Sequence, residues 1–119
     1  MNQQEDKTKI FKKWDVLLVD FSEDENTEAK KRPALTISPQ EYNKNKKSII
    51  LVFITSNIDK KELYGDYEIQ EWEEAGLVKP AKAQMNFCSV NKNRIKKLGE
   101  LQEKDINNIE KKITDFFNF

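Results

Sequence analysis

Histidine is absent from this chain of 119 residues, and cysteine occurs only once, at Cys88. The lack of an imidazole excludes Ser-His and Cys-His nucleophile systems, paired-histidine ribonuclease chemistry and most zinc sites. A single cysteine excludes an internal disulfide, and we expect Cys88 to be a small, buried core residue rather than a reactive thiol. Any catalysis by this protein must therefore use other side chains.

Long apolar runs are missing as well. No stretch approaches the ~20 residues that a membrane-spanning helix needs, and no secretory signal is recognisable. Basic and acidic residues balance at 21 each, so we expect no general electrostatic attraction to nucleic acid. Basic residues nevertheless cluster at positions 30–32, 44–47 and 92–97, which leaves room for a local basic face. These features predict a cytoplasmic protein that does not associate with membranes.

The chain is long enough for one domain with a modest core. We divide it into a flexible polar tail, residues 1–12, and a single barrel domain, residues 13–119. Residues 49–54 form the most apolar run and predict a buried central strand. Further strands are predicted at residues 16–21, 33–37, 64–69 and 81–90, the last with a bulge near residues 87–88.

The connections between these strands are polar. Residues 22–31 predict a long loop, which is either a solvated hairpin connection or a flap over a binding groove. Residues 40–48 are interpreted as an irregular connection. We expect a short helix or turn that ends at Gly76, and a second turn over residues 91–98 that Gly99 ends.

The last segment, residues 102–119, has the pattern of an amphipathic helix. Its apolar face carries Ile106, Ile109, Ile113, Phe116 and Phe117. Its polar face mixes lysines with Glu103, Asp105, Glu110 and Asp115, so we expect packing against the core or a second subunit rather than a membrane. The order of elements predicts a mainly β (α+β) fold, a small, strongly bent antiparallel barrel with a C-terminal helix.

One candidate site emerges from residues that are distant in sequence. Arg32 precedes Pro33 at the start of one strand, and Thr55-Ser56 follow the end of the central strand. A small barrel can bring such strand ends together, which would place a fixed cation and a hydroxyl in one pocket. Arginine presents a planar fork of donors that matches phosphate oxygens. The alternatives are an exposed strand-end arginine and a Thr-Ser turn or cap.

The same residues carry a resemblance to a known family. Five blocks stand in the order and spacing of that family: Asp15 to Phe21, Lys31 to Ser38, Ile54-Thr55-Ser56, Glu74 to Leu77 with Lys79-Pro80, and Lys97 to Leu101 before the last helix. Over about residues 13–117 the chain resembles the PemK/MazF family of toxin endoribonucleases.

The resemblance implies a homodimeric, SH3-like barrel toxin that cuts single-stranded RNA at short sequences, uses no metal or cofactor, and is inhibited by an antitoxin peptide. The family's catalytic arginine and threonine fall on Arg32 and Thr55. The resemblance further implies RNA contacts by Ser56, Lys31 and Gln84. Attack by a ribose 2′-hydroxyl would build negative charge on the phosphate oxygens, which a preplaced guanidinium and a hydroxyl stabilise.

Three positions depart from the family pattern. Trp14 stands where relatives usually have glycine, Ala81 replaces a frequent serine, and Asn91 replaces a frequent aspartate. Two other functions stay open at this point: a catalytically silent barrel that binds an antitoxin peptide or nucleic acid, and a structural or regulatory protein that binds nucleic acid through its lysine-rich turns. Trp14 and Trp72 are expected to be partly buried rather than stacked on bases.

Overall fold

The computed structural model describes residues 10–21, 30–59 and 64–118. The predicted tail and the polar loop at residues 22–31 lie largely outside these ranges. Within them the chain forms six strands: β1 (Asp15–Asp20), β2 (Lys31–Thr36), β3 (Ser48–Thr55), β4 (Tyr67–Glu68), β5 (Lys82–Asn91) and β6 (Ile95–Glu100). Two α-helices, α1 (Gln40–Asn45) and α2 (Glu103–Phe117), and a 3₁₀ turn (Lys92–Arg94) complete the described elements.

The strands form one antiparallel sheet in the order β4-β5-β3-β2-β1-β6. The central position predicted for residues 49–54 is confirmed, because β3 pairs with a strand on each side. Helix α2 is confirmed too. It ends at Phe117 and is capped by Asn118, whose φ of 61° is the left-handed conformation typical of a helix C-terminus. The fold is therefore mainly β with a C-terminal helix, as the sequence predicts.

A short connection shows that the sheet is strongly bent. Strands β5 and β6 lie four strand positions apart, which would be about 19 Å in a flat sheet. The three residues of the 3₁₀ turn join them, and a fully extended connection of that length spans at most about 14 Å. The sheet must curl until these two strands approach each other. This geometry confirms the predicted bent barrel.

Both faces of the sheet are buried. One cluster, which α2 covers through Ile109, includes Leu35, Val52 and Ile54. The other cluster lies on the opposite face and includes Phe11, Leu17, Leu51 and Phe53. Side chains alternate between the two faces of a strand, so burial on both sides explains why β3 has a continuous apolar sequence. Trp14 and Trp72 are half-buried against the first cluster, as expected, and Cys88 packs partly buried against the second.

The turn predicted over residues 91–98 is wrong in its extent. Only Lys92–Arg94 turn, and residues Ile95–Glu100 form β6 along the edge of the sheet. An edge strand pairs on one side and often carries lysines, so it lacks the apolar signal of a central strand. Gly99 lies inside β6, where a Cβ atom would approach the Ala75 carbonyl oxygen to 2.3 Å. Gly76 does end its turn, with a φ of 95°.

Three smaller differences concern segments next to the strands. Residues 40–45 form α1 instead of an irregular connection, and Asn43 in α1 is buried. The strand predicted at residues 64–69 is reduced to Tyr67–Glu68 in its described part. The bulge of β5 lies at residues 84–86, because Val52 pairs with Phe87 and Ile54 with Ala83.

Asp105 is the main departure from the predicted helix pattern. We placed it on the polar face, but the side chain is fully buried. Its carboxylate accepts hydrogen bonds from the Tyr67 hydroxyl and from the backbone amides of Gln70 and Glu71, both at 2.8 Å. The pKa of Tyr67 is raised to about 12, mainly because its hydroxyl is buried and secondly because it donates a hydrogen bond to Asp105. Asp105 thus ties α2 to the segment that leads out of β4.

We expect the Asp105→Ala substitution to lower the free energy of unfolding by about 3 kcal/mol, because three donors lose their acceptor. Glu110→Ala, on the exposed side of the same helix, is the matched control and should change stability by less than about 0.5 kcal/mol. Urea unfolding followed by circular dichroism measures both. Equal stability of the two variants would contradict the assigned role of Asp105.

Candidate functional site

The pairing of β2 with β3 aligns the two residues that the sequence singled out. Ala34 pairs with Phe53 and Leu35 with Val52. Continued by two residues, this register aligns Arg32 with Thr55. Residues that are directly opposite each other in an antiparallel pair point to the same face of the sheet. Arg32 and Thr55 therefore share one face at one end of the barrel.

The side chain of Arg32 reaches across to β3. Its guanidinium carbon lies 4.7 Å from the centre of the Phe53 ring, and the Phe21 ring packs against Phe53 at a centroid distance of 5.4 Å. A cation over an aromatic face is held by the ring quadrupole. Phe53 and Thr55 are two residues apart on β3, so both point to this face. The aromatic pair thus positions the cation beside the end of β3, while Arg32 stays exposed.

Thr55 is the last residue of β3 and is half-buried. Its Oγ1 accepts a hydrogen bond from the amide of Asn57 at 3.1 Å. Such a local bond fixes the side chain of a threonine at a turn. The hydroxyl keeps its own hydrogen for donation. Thr55 can therefore present an oriented hydroxyl donor to an anion.

Sequence reasoning missed Lys82, a charged residue within the strand predicted at residues 81–90. Lys82 pairs directly with Thr55 in the β3-β5 register. Its side chain is 7% exposed and forms an ion pair with Asp66 at 3.2 Å. Arg32, Thr55 and Lys82 thus form a row across three adjacent strands. An ion pair between residues 66 and 82 depends on the pairing of β4 with β5, for which the sequence gives no direct signal.

The three predicted RNA-contacting residues lie at different distances from this row. Ser56 is exposed in the bend that follows Thr55. Gln84 is half-buried in the β5 bulge, two residues after Lys82. Lys31 starts β2 and points away from Arg32, because neighbouring residues of a strand face opposite sides. Ser56 and Gln84 border the row, whereas Lys31 lies on the other face.

The described ranges contain no group of three or more His, Cys, Asp or Glu side chains arranged to hold a metal ion. Across residues 10–21, 30–59 and 64–118, no helix combines the length and hydropathy of a membrane span. What the row offers chemically is a positioned cation, an oriented hydroxyl and a buried ion pair. This donor set suits an anionic group such as a phosphate.

The fold is a small bent barrel with a C-terminal helix, and a cation and a hydroxyl stand at its strand ends. Together they describe a small barrel protein with a candidate phosphate-binding site. Residues 12–117 match the family described as PemK-like, MazF-like toxin of type II toxin-antitoxin system. The chain belongs to this family. No curated protein sequence matches the chain.

Solved structures show the same fold. A MazE-MazF complex from Deinococcus radiodurans superposes with a TM-score of 0.70 at 17% identity, covering 92% of this chain and 98% of that chain. An endoribonuclease from a mycobacterial species superposes with a TM-score of 0.70 at 14% identity, covering 92% of this chain and 93% of that chain. A mycobacterial endoribonuclease in complex with its cognate antitoxin superposes with a TM-score of 0.69 at 14% identity, covering 92% of this chain and 95% of that chain. At these identities the likeness concerns the fold.

Removing one partner of the buried ion pair between Lys82 and Asp66 should affect the stability of the fold. We expect Lys82→Met to lower the free energy of unfolding by about 3 kcal/mol, because it leaves the buried Asp66 carboxylate without this cation. Lys79→Met, at an exposed position three residues earlier, should change it by less than about 0.5 kcal/mol. Adding Asp66→Asn to Lys82→Met should restore part of the loss. Additive losses in a urea double-mutant cycle would contradict the coupling.

Proposed function

We propose that this chain is the toxin of a toxin-antitoxin system and an endoribonuclease that cleaves single-stranded RNA, including mRNA, at specific short sequences. Family membership supports this proposal, as do the endoribonucleases among the proteins of the same fold. The observation that carries it is the β2-β3 register, Ala34 with Phe53 and Leu35 with Val52, which continued by two residues puts Arg32 and Thr55 on one face. We further propose that the cleavage needs no metal ion.

In the proposed reaction the ribose 2′-oxygen attacks the adjacent phosphorus. A bond from phosphorus to the 2′-oxygen forms, the bond to the 5′-oxygen breaks, the 2′-hydroxyl loses its proton and the leaving 5′-oxygen gains one. The products are a 2′,3′-cyclic phosphate and a 5′-hydroxyl. Arg32 stabilises the negative charge that grows on the non-bridging oxygens, and Thr55 donates a hydrogen bond that orients the scissile phosphate. Both groups act more strongly on the transition state than on the substrate.

The neighbouring residues are assigned to substrate binding. Ser56 and Gln84 border the row, so we assign them contacts to the nucleotides that flank the scissile phosphate. Lys31, on the other face of β2, is assigned to RNA that extends beyond the site. The Deinococcus relative was solved as a MazE-MazF complex, which supports an antitoxin peptide as the inhibitory partner of this chain. An mRNA substrate places the protein in the cytoplasm.

The cleavage proposal predicts that the purified protein cuts a long single-stranded RNA in the presence of EDTA and leaves 2′,3′-cyclic phosphate ends. We expect Arg32→Ala and Thr55→Ala each to lower the cleavage rate by about 10²- to 10³-fold, because each removes a donor to the developing charge. Thr114→Ala, an exposed threonine on α2, is the matched control and should cleave at the wild-type rate.

End mapping of the products tests the reaction, and a single 2′-deoxy substitution at the mapped site should abolish the cut. RNA that stays intact with the wild-type protein but is retained by it would favour the silent binding module instead. Unchanged cleavage by Arg32→Ala would overturn the assigned site while leaving the endoribonuclease assignment in place.

We also propose that the chain is a homodimer. The end of α2 carries an aromatic cluster in which Phe117 contacts Phe87 and Phe116, at centroid distances of 5.0 and 5.2 Å. Tyr64 contacts Phe116 and is 79% exposed, and Phe117 is 46% exposed. Contiguous apolar surface of this kind is typical of an interface.

Sedimentation velocity tests this proposal. We expect the wild-type protein to sediment as a dimer and Phe117→Ser to shift it toward the monomer. Val78→Ser is the matched control, because Val78 is 88% exposed and is not part of the aromatic cluster. A wild-type protein that sediments only as a monomer would contradict the dimer.

A further inference from the structure

A basic cavity lies away from the Arg32-Thr55 row. We name it the lysine cavity, and its volume is about 530 Å³. Four lysines and three asparagines line it, and no acidic side chain is among these described residues: Lys44, Asn45, Lys46, Lys47, Asn91, Lys92 and Asn93. The cavity lies where the turn after α1 meets the turn after β5.

The walls of the lysine cavity are held in place by buried polar contacts. Asn43, which is 1% exposed, donates to the carbonyl oxygen of Phe11 at 2.8 Å and to that of Ser38 at 3.0 Å. The Lys92 ammonium donates to the Asn43 carbonyl at 2.8 Å, and the Lys92 amide donates to Lys47 at 2.8 Å. The two turns therefore keep a fixed relation, and the cavity is formed before any ligand binds.

A second, smaller basic cavity adjoins the lysine cavity. Asn93 lines both, and the second cavity of about 170 Å³ also contains Lys31, Arg94 and Lys96. Asp20 is its one acidic residue among the described lining, and Arg94 donates to the Asp20 carbonyl at 3.3 Å. Lys31 directly precedes Arg32 in β2. The two cavities thus adjoin at Asn93, and the second one reaches Lys31 in the strand that carries the candidate catalytic arginine.

The concentration of positive charge in the lysine cavity is local. The whole chain has a formal net charge of zero, so these lysines do not reflect a generally basic protein. Like charges held within one cavity repel each other, and a polyanion with regularly spaced charges relieves that repulsion. Among the described residues, the lining of the lysine cavity consists of lysines and asparagines and includes no aromatic side chain. It therefore suits a phosphate backbone better than a peptide, which would need an apolar anchor.

We propose that the lysine cavity and the smaller basic cavity next to it bind the phosphate backbone of substrate RNA outside the cleavage site. This inference rests on the proposed function, because it takes single-stranded RNA as the substrate. The surface acts on phosphates, so it adds affinity for long RNA without adding sequence preference. It would favour long transcripts over short fragments that carry the same cleavage sequence.

The test uses fluorescence anisotropy with 2′-O-methyl RNA, which lacks the attacking hydroxyl and stays intact whether or not the protein is an endoribonuclease. A short oligonucleotide and a longer one with the same central sequence are titrated at several salt concentrations. We expect the longer RNA to bind more tightly, with a steeper dependence on salt. The combined variant Lys44→Gln, Lys46→Gln and Lys47→Gln should reduce that slope by about 2, since each lost contact to a single strand removes about 0.7.

The matched control is Lys79→Gln, Lys104→Gln and Lys111→Gln, which removes the same charge from exposed lysines that line neither basic cavity. This control variant should keep most of the wild-type dependence of affinity on salt. Each single substitution in the lysine cavity should reduce the slope by about a third of the reduction in the triple variant. Equal slopes for the two triple variants would overturn the proposal. So would a cavity variant that loses affinity for an acidic peptide but keeps its affinity for long RNA. Failure of RNA cleavage by the wild-type protein would instead count against the proposed function alone.

Discussion

The register between β2, β3 and β5 is the constraint on which the rest of this structure depends. Residues 34 and 53 face one core cluster, and residues 35 and 52 face the other. A slip by one residue would exchange the two faces of a strand, and burial on both sides of the sheet makes such a slip expensive. Pro33 supports the same arrangement, because it has no amide hydrogen and stands where the β2-β3 pairing ends. Packing of the core thus aligns Arg32, Thr55 and Lys82 without requiring any direct bond among them.

Two buried carboxylates show how charge is used in this fold. Asp105 accepts three hydrogen bonds, two of them from backbone amides, so its burial is compensated by donors that the turn after β4 would otherwise leave unpaired. Asp66 instead pairs with a buried ammonium, that of Lys82. A buried ion pair adds little net stability because both charges lose their hydration. Its position under the candidate site favours a role in fixing the local arrangement of β4, β5 and the end of β3.

The sequence predicted what depends on periodicity, and it missed what depends on distant partners. The apolar run of β3 and the helical spacing in α2 were sufficient to predict both elements and the mainly β fold. The strand-end positions of Arg32 and Thr55 predicted a shared site, and the β2-β3 register is consistent with one face for both side chains. Asp105 and Lys82 looked like surface residues because their partners are distant in the chain and become neighbours only through the sheet. Strand β6 was missed because it lies at an edge, where lysines replace the apolar alternation.

Trp14 and Asn91 depart from the family pattern, and the structure shows how the fold accommodates each of them. Its φ of 77° is a left-handed conformation that costs a bulky residue about 1 kcal/mol or more, which explains a glycine in relatives. The backbone there is fixed by two bonds, from its amide to Thr36 and from the Leu101 amide to its carbonyl. The indole offsets the strain by packing on the first core cluster. Asn91, in place of aspartate, still accepts a bond from the Asn93 amide at 2.8 Å. Neither Trp14 nor Asn91 lies on the strand ends that carry Arg32 and Thr55.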